Sequence, residues 1–226
     1  MVFVCDDPRP DRLAALDGLA ELISSGALRL VSVAERYGTA VDPATRLDRA
    51  HQRLDEVLVQ GGSGICAVAD VSSLVVGSDE EFASWLAWEA AIDGLAARRP
   101  FTGVCYLDRR RVPSTRLADL ATLHPVRSID FVTPSFQLFH EPDGLRVVGD
   151  LEWSSVDSLQ RVLRAHTGLE EMVVDLSEAD FVDHHALVAL DQAARRAGPL
   201  RVVGASAVVR RIWALLDLAA PALEFC

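Results

Sequence analysis

Apolar residues fall along the chain in two rhythms. Short unbroken runs at Val2-Phe3-Val4-Cys5 and residues 28–33, 65–69 and 101–107 predict four strands. Between them, apolar positions recur at helical spacing. Residues 11–25 place Leu13, Leu16, Leu19, Ala20 and Ile23 on one face, and Gly26 closes that helix. Residues 43–60 and 79–98 predict two more helices, the second carrying Phe82, Trp85, Leu86 and Trp88. A helix over 113–124 and a strand over 129–132 follow. Continuous rather than alternating apolar strands, separated by helices, indicate a parallel sheet covered on both faces.

Pro134 marks the boundary to a second pattern, which divides the chain into residues 1–133 and 134–226. Strands at 136–139 and 145–148 flank the turn Glu141-Pro142-Asp143-Gly144. A helix over 156–166 has Ser154 or Ser155 as its N-cap. Met172-Val173-Val174 is a buried strand closed by Asp175, and residues 176–180 read as a turn. Asp183 is placed to cap an amphipathic helix with Leu187, Val188, Leu190 and Ala194 on its apolar side. A strand at 200–203, a helix at 208–218 and a terminal strand at 223–225 complete a small α/β domain. Both halves are thus of α/β class.

Composition narrows the chemistry. The formal net charge of −11 argues against general nucleic-acid binding, which needs a basic face. All 22 basic residues are arginine, which excludes a phosphate-loop, Schiff-base or kinase lysine. The four cysteines, at 5, 66, 105 and 226, lack metal-ligand spacing and read as reduced thiols of a cytoplasmic protein. No apolar run approaches the ~20 residues of a membrane span, and no signal peptide is evident.

Two regions have the residue types for a site. Asp6, Asp7 and Asp70 fall at the carboxyl ends of predicted parallel strands, and Arg109 and Arg110, with Arg111, follow another. Ligands of open α/β sheets bind there, so these residues are the candidate small-molecule pocket; an ion pair on the rim is the plainer reading. Near the second helix start, Asp180, Asp183, His184 and His185 form a surface able to receive a partner. Adjacent histidines at a helix start diverge by about 100°, so no shared metal is expected. Gly61-Gly62-Ser63-Gly64 precedes a strand and lacks Gly-Lys, so it is a connector. His124 before Pro125 suits a helix end, and Trp85 with Trp88 suits a core or interface. No catalytic set, cofactor or metal is expected, and the chain reads as a non-enzyme.

The run Met172 to Ala194 resembles the signature of STAS domains, the anti-sigma factor antagonists, in which a strand, D-[ST]-[ST]-G-L and a helix follow one another. The matching positions here are Asp183-His184-His185-Ala186-Leu187, with histidine at both hydroxyl positions. Gly149-Asp150-Leu151-Glu152 sits where that family has a G-E-[LI]-D turn. The first half resembles the MEDS (DcmR-type sensory) domain, related in fold to RecA/KaiC-like proteins. The likeness rests on Val4-Cys5-Asp6-Asp7, Trp88-Glu89, Asp93, residues 105–110 and His124-Pro125. That family carries a further strand and helix ahead of the segment beginning here at Val2. The resemblance therefore implies either an upstream start or an uncovered sheet surface, and the latter favours a homo-oligomer.

These likenesses imply a regulator with a sensory module and a partner-binding module. Asp150, Glu152, Asp180, Asp183, His184 and His185 would face a serine-kinase-type anti-sigma factor or another STAS protein. A histidine cannot take the phosphoserine mark, which would add about two negative charges to the loop. The competing expectation is a small-molecule sensor whose second half only mediates oligomerisation. A nucleotide hydrolase is disfavoured by the missing lysine.

Overall fold

The computed structural model describes residues 1–9, 18–37, 42–124, 126–128, 133–141, 144–166, 172–216, 218 and 223–225. The chain forms two compact units, Met1–Pro113 and Ser114–Cys226. The sequence reading drew its boundary at Pro134. The helix Ser114–Leu123 clusters with the second unit because its Asp119, 1% exposed, is anchored there. Asp119 accepts two hydrogen bonds from the Arg161 guanidinium at 2.6 and 3.0 Å and one from Ser158 Oγ at 2.6 Å.

In the first unit, strands β1 (Val2–Cys5), β2 (Arg29–Ser32), β3 (Ile65–Asp70) and β4 (Phe101–Tyr106) form a wholly parallel sheet in the order β2-β1-β3-β4. The described helices are α1 (Leu19–Ser24), α2 (Val33–Tyr37), α3 (Pro43–Val59), α4 (Ser72–Val75) and α5 (Asp79–Ala96). The two short helices α2 and α4 lie where no long apolar period marks them. Asp42 caps α3 by accepting from the Ala44 and Thr45 amides. Ser78 and Glu81 form a reciprocal capping box on α5. These boundaries follow the sequence pattern to within a few residues, while the start of the predicted 11–25 helix and the predicted 129–132 strand lie outside the described residues.

The core lies on one face of this sheet. Val31, Val4 and Ala69 are 5%, 1% and 4% exposed, and Cys105 continues their row under α5, where its thiol faces Glu89. Tyr37, Trp85 and Trp88 pack edge-on, with Tyr37 centroid distances of 5.1 and 6.2 Å, as the core reading of the tryptophan pair expects. The opposite face corrects the sequence reading of a sheet covered on both sides. Leu30, Phe3 and Val68 are only half-buried there, and Val104 is 50% exposed.

Burial pushes the Tyr37 phenol well above its ordinary value, and the nearby Glu89 and Cys105 add to that shift. A raised folded value favours the protonated phenol. Its stabilisation is complete below the ordinary value of about 10 and is lost as pH rises above it. Alkaline unfolding followed by tryptophan circular dichroism is therefore expected to shift to higher pH in Tyr37→Phe. An unchanged midpoint would remove Tyr37 as the cause.

The second unit contains α6 (Ser114–Leu123), β5 (Phe136–Glu141), β6 (Gly144–Leu151), a 3-10 turn (Trp153–Ser155), α7 (Val156–Ala165), β7 (Met172–Val182), α8 (His184–Ala197), β8 (Leu200–Val203), α9 (Ala207–Leu215) and β9 (Leu223–Phe225). Its sheet runs β5-β6-β7-β8-β9; the β5–β6 pair is antiparallel and the rest are parallel. Neither Ser154 nor Ser155 caps α7 through its hydroxyl. Ser155 Oγ instead closes the preceding turn on the Glu152 backbone. Among the described residues, no helix is long and apolar enough to cross a membrane.

Candidate functional site

The sharpest departure from the sequence pattern is β7. Residues 176–180 are strand, not turn, and β7 continues to Val182. Its pairing with β6 slips twice, between Arg146/Val148 and between Gly149/Asp150, and each slip leaves one extra residue on β7. Such bulges re-aim side chains and gather beside functional sites. At the second slip Gly149 pairs with Ala179 and Asp150 with Phe181, so Asp180 is the extra residue. Arg146 fixes the first slip by pairing with Glu141 at 2.8 Å and Glu178 at 2.9 Å.

The strand ends with the Asp183 amide donating to the Leu151 carbonyl at 2.9 Å. Asp183 Oδ1 then accepts from the Ala186 amide at 3.0 Å, which is the cap expected for α8. Six sequence-selected residues thus meet at the carboxyl ends of β6 and β7. Asp150, Asp180, His184 and His185 are exposed, and Glu152 and Asp183 are partly so. Ser154 Oγ donates to Glu152 Oε1 at 2.6 Å, holding that carboxylate beside its own turn.

A groove of about 650 Å³ opens next to them, between Phe181, Asp183 and His184 on one side and Ser206, Val208 and Ile212 on the other. Three large apolar side chains escape the periodicity analysis here. Phe181 is 54%, Val208 67% and Trp153 72% exposed, and the first two line the groove. Their sequence signal is an aromatic or aliphatic residue set among polar neighbours at an element end. Within 180–187, Asp180, Phe181, His184 and His185 are open to solvent, while Val182, Ala186 and Leu187 pack inward.

The histidine geometry corrects the sequence argument. The His184 and His185 rings lie 3.8 Å apart at 41°, rather than diverging. Successive Cα–Cβ bonds on a helix diverge by about 100°, yet the two rings meet face to face at a tilt. His185 Nδ1 comes 3.4 Å from Asp183 Oδ2, and one donor atom from each of the three residues lies within 4.8 Å of the others. Those donor types suit a borderline divalent cation. The partial positive charge of the α8 N-terminus opposes one.

In the first unit the chain reverses its direction across the sheet between β1 and β3, and this switch point is where open α/β sheets bind ligands. Asp6, immediately after β1, and Asp70, the last residue of the adjacent β3, stand there. Ser73 Oγ donates to Asp6 Oδ1 at 2.6 Å, and the Ser72 amide donates to Asp70 Oδ1 at 3.0 Å. Asp108, unselected in the sequence, joins them through its amide donating to Ser72 Oγ at 2.8 Å. Arg110 bonds both Asp108 oxygens, at 2.9 and 2.8 Å, and holds that carboxyl down to about 2. Asp7 turns to Arg9 at 2.9 Å. Arg109 is exposed in the turn after β4. Of the five residues selected, Asp6 and Asp70 come together, Arg110 is engaged by Asp108, and Asp7 pairs outward.

His124 follows α6, with its Nδ1 2.7 Å from the Leu120 carbonyl, a helix-end contact as expected. Burial pushes the Cys105 thiol up, reinforced by Glu89, and burial also raises that of Cys5. Both are thereby disfavoured as thiolate nucleophiles.

A family model described as MEDS, the methanogen/methylotroph DcmR sensory domain, matches residues 2–125. No curated protein matches the chain.

Proposed function

Residues 2–125 place this chain in the MEDS sensory-domain family, and from that membership we propose a non-enzymatic two-module regulator. The first module, with a RecA/KaiC-like sheet, senses a small molecule at the β1–β3 crevice through Asp6, Asp70 and the serines of α4. The second module, which we assign to 134–226, is STAS-like and docks a protein. Its antiparallel β5–β6 entry, three parallel strands and capped α8 support that reading.

The observation that carries the docking role is the open face at the ends of β6 and β7. Exposed Phe181, Val208 and Trp153 provide the apolar area that interfaces bury. Asp150, Asp180, His184 and His185 provide the polar rim. The partner class is a serine-kinase-type anti-sigma factor or another STAS protein. With histidine at both acceptor positions, the loop keeps one charge state towards such a kinase, and regulation passes to the sensory module.

Purified full-length protein is tested for capture by immobilised anti-sigma factors of the serine-kinase type and by STAS proteins. The wild type is expected to bind, and His185→Glu to bind roughly ten-fold more weakly, because a rim contact is replaced by one more carboxylate on an already acidic face. Equal binding by both proteins would dismiss the docking surface. It would favour the second reading, a small-molecule sensor whose second half only mediates oligomerisation. The carboxylates and serines gathered at the β1–β3 switch point give that reading its support.

A further inference from the structure

The exposed face of the first sheet has a definite origin. Right-handed crossovers place the helices of successive same-direction steps on one face. The steps β2 to β3 and β3 to β4 run the same way, so α3 and α5 share the face that buries Val4, Val31 and Ala69. The β1 to β2 step runs the other way, and its connection belongs to the opposite face on the β1–β2 side. Among the described residues, no crossover helix lies over β3 and β4 on that opposite face. The row Leu30, Phe3, Val68, Val104 crosses it in register, and Tyr106, 60% exposed, follows Val104 on β4. Parallel sheets are stable when both faces are buried.

Strand β4 also ends the sheet among the described residues. Its sequence Phe-Thr-Gly-Val-Cys-Tyr has no charge and no proline, and it pairs with β3 over all six residues without a bulge. It therefore lacks the usual devices that keep an edge strand from pairing. At the other edge, β2 has four residues and begins with Arg29. Two copies of a chain carrying −11 repel each other. Cys66, Val68, Thr102 and Val104 form an uncharged strip, with Asp70 beside Tyr106 at its carboxyl end, and along this strip a second copy approaches at the least electrostatic cost.

We propose that the occupant is a second copy of this chain, joined through β4. A two-fold axis makes the contact self-complementary and the two β4 strands antiparallel. The sheets then continue into one of eight strands, with the Val104 and Tyr106 rows side by side. A six-residue ladder falls short of the ~1,000 Å² of a stable specific interface, so a concentration-dependent monomer–dimer equilibrium is expected.

Sedimentation velocity of the full-length protein under reducing conditions, over a concentration series, tests this. The wild type is expected to dimerise, and amide exchange across 101–106 to slow as the dimer forms. Val104→Lys is expected to weaken dimerisation at least ten-fold with an unchanged circular-dichroism spectrum. Thr102→Arg, on the same face of β4, provides a second variant if the first misfolds. A wild type that stays monomeric throughout, or a dimer indifferent to both substitutions, overturns the proposal. The contact lies in the first unit, so its failure is distinguishable from loss of capture by His185→Glu.

Discussion

Gly149→Ala is expected to destabilise the second unit by about 3 kcal/mol, combining a left-handed backbone penalty of roughly 1 kcal/mol with the cost of forcing apart packed strands. Gly149 has φ +97°, and a Cβ there would stand 2.5 Å from the Ser135 carbonyl oxygen and 3.3 Å from Phe136 Cα. That oxygen cannot withdraw freely, because it accepts the Asp150 amide at 2.8 Å. The methyl group must therefore either break this bond or shift β5 against β6. Both outcomes displace Asp150, so partner capture falls together with stability. Gly198 also has positive φ, but nothing lies within 4 Å of its Cβ position, so Gly198→Ala is expected to lose less. Urea midpoints of the two variants provide the check. A smaller loss at Gly149 than at Gly198 would show that β5 yields without strain.

Leu187→Ala should cost a similar amount, about 3 kcal/mol, for a different reason. Leu187 is fully buried one turn into α8, where α8 packs on α7. Truncation removes apolar burial and leaves a cavity that the surrounding leucines only partly fill. Leu215→Ala, at a position 77% exposed, should change stability by less than about 0.5 kcal/mol. Comparable losses from the two substitutions would contradict the burial assigned to α8.

Local pattern in the sequence carries most of the secondary structure. Continuous apolar runs locate β1 to β4, and Asp183 announces the start of α8 before any coordinates are considered. The misses share a cause: long-range backbone pairing leaves no local trace. Ser177, Glu178 and Asp180 look like turn residues, yet pairing with β6 keeps them in strand through two bulges. Asp119 looks like an ordinary helix-face carboxylate until Arg161 and Ser158 meet it from 42 and 39 residues away. The half-covered face of the first sheet depends on strand order, which the run of apolar residues does not encode. At the site, the acidic residues were legible by type and position. The exposed Phe181 and Val208 were not, because periodicity assigns such residues to a core.

The anchoring of Asp119 has a practical consequence for anyone dividing the gene. A recombinant piece starting at Pro134 would drop α6 and deprive Arg161 of its carboxylate, while one ending at residue 125 would leave that carboxylate with no guanidinium. A piece starting at Ser114 keeps both sides of the pair on one polypeptide, so it is the cut that respects the molecule's internal ties.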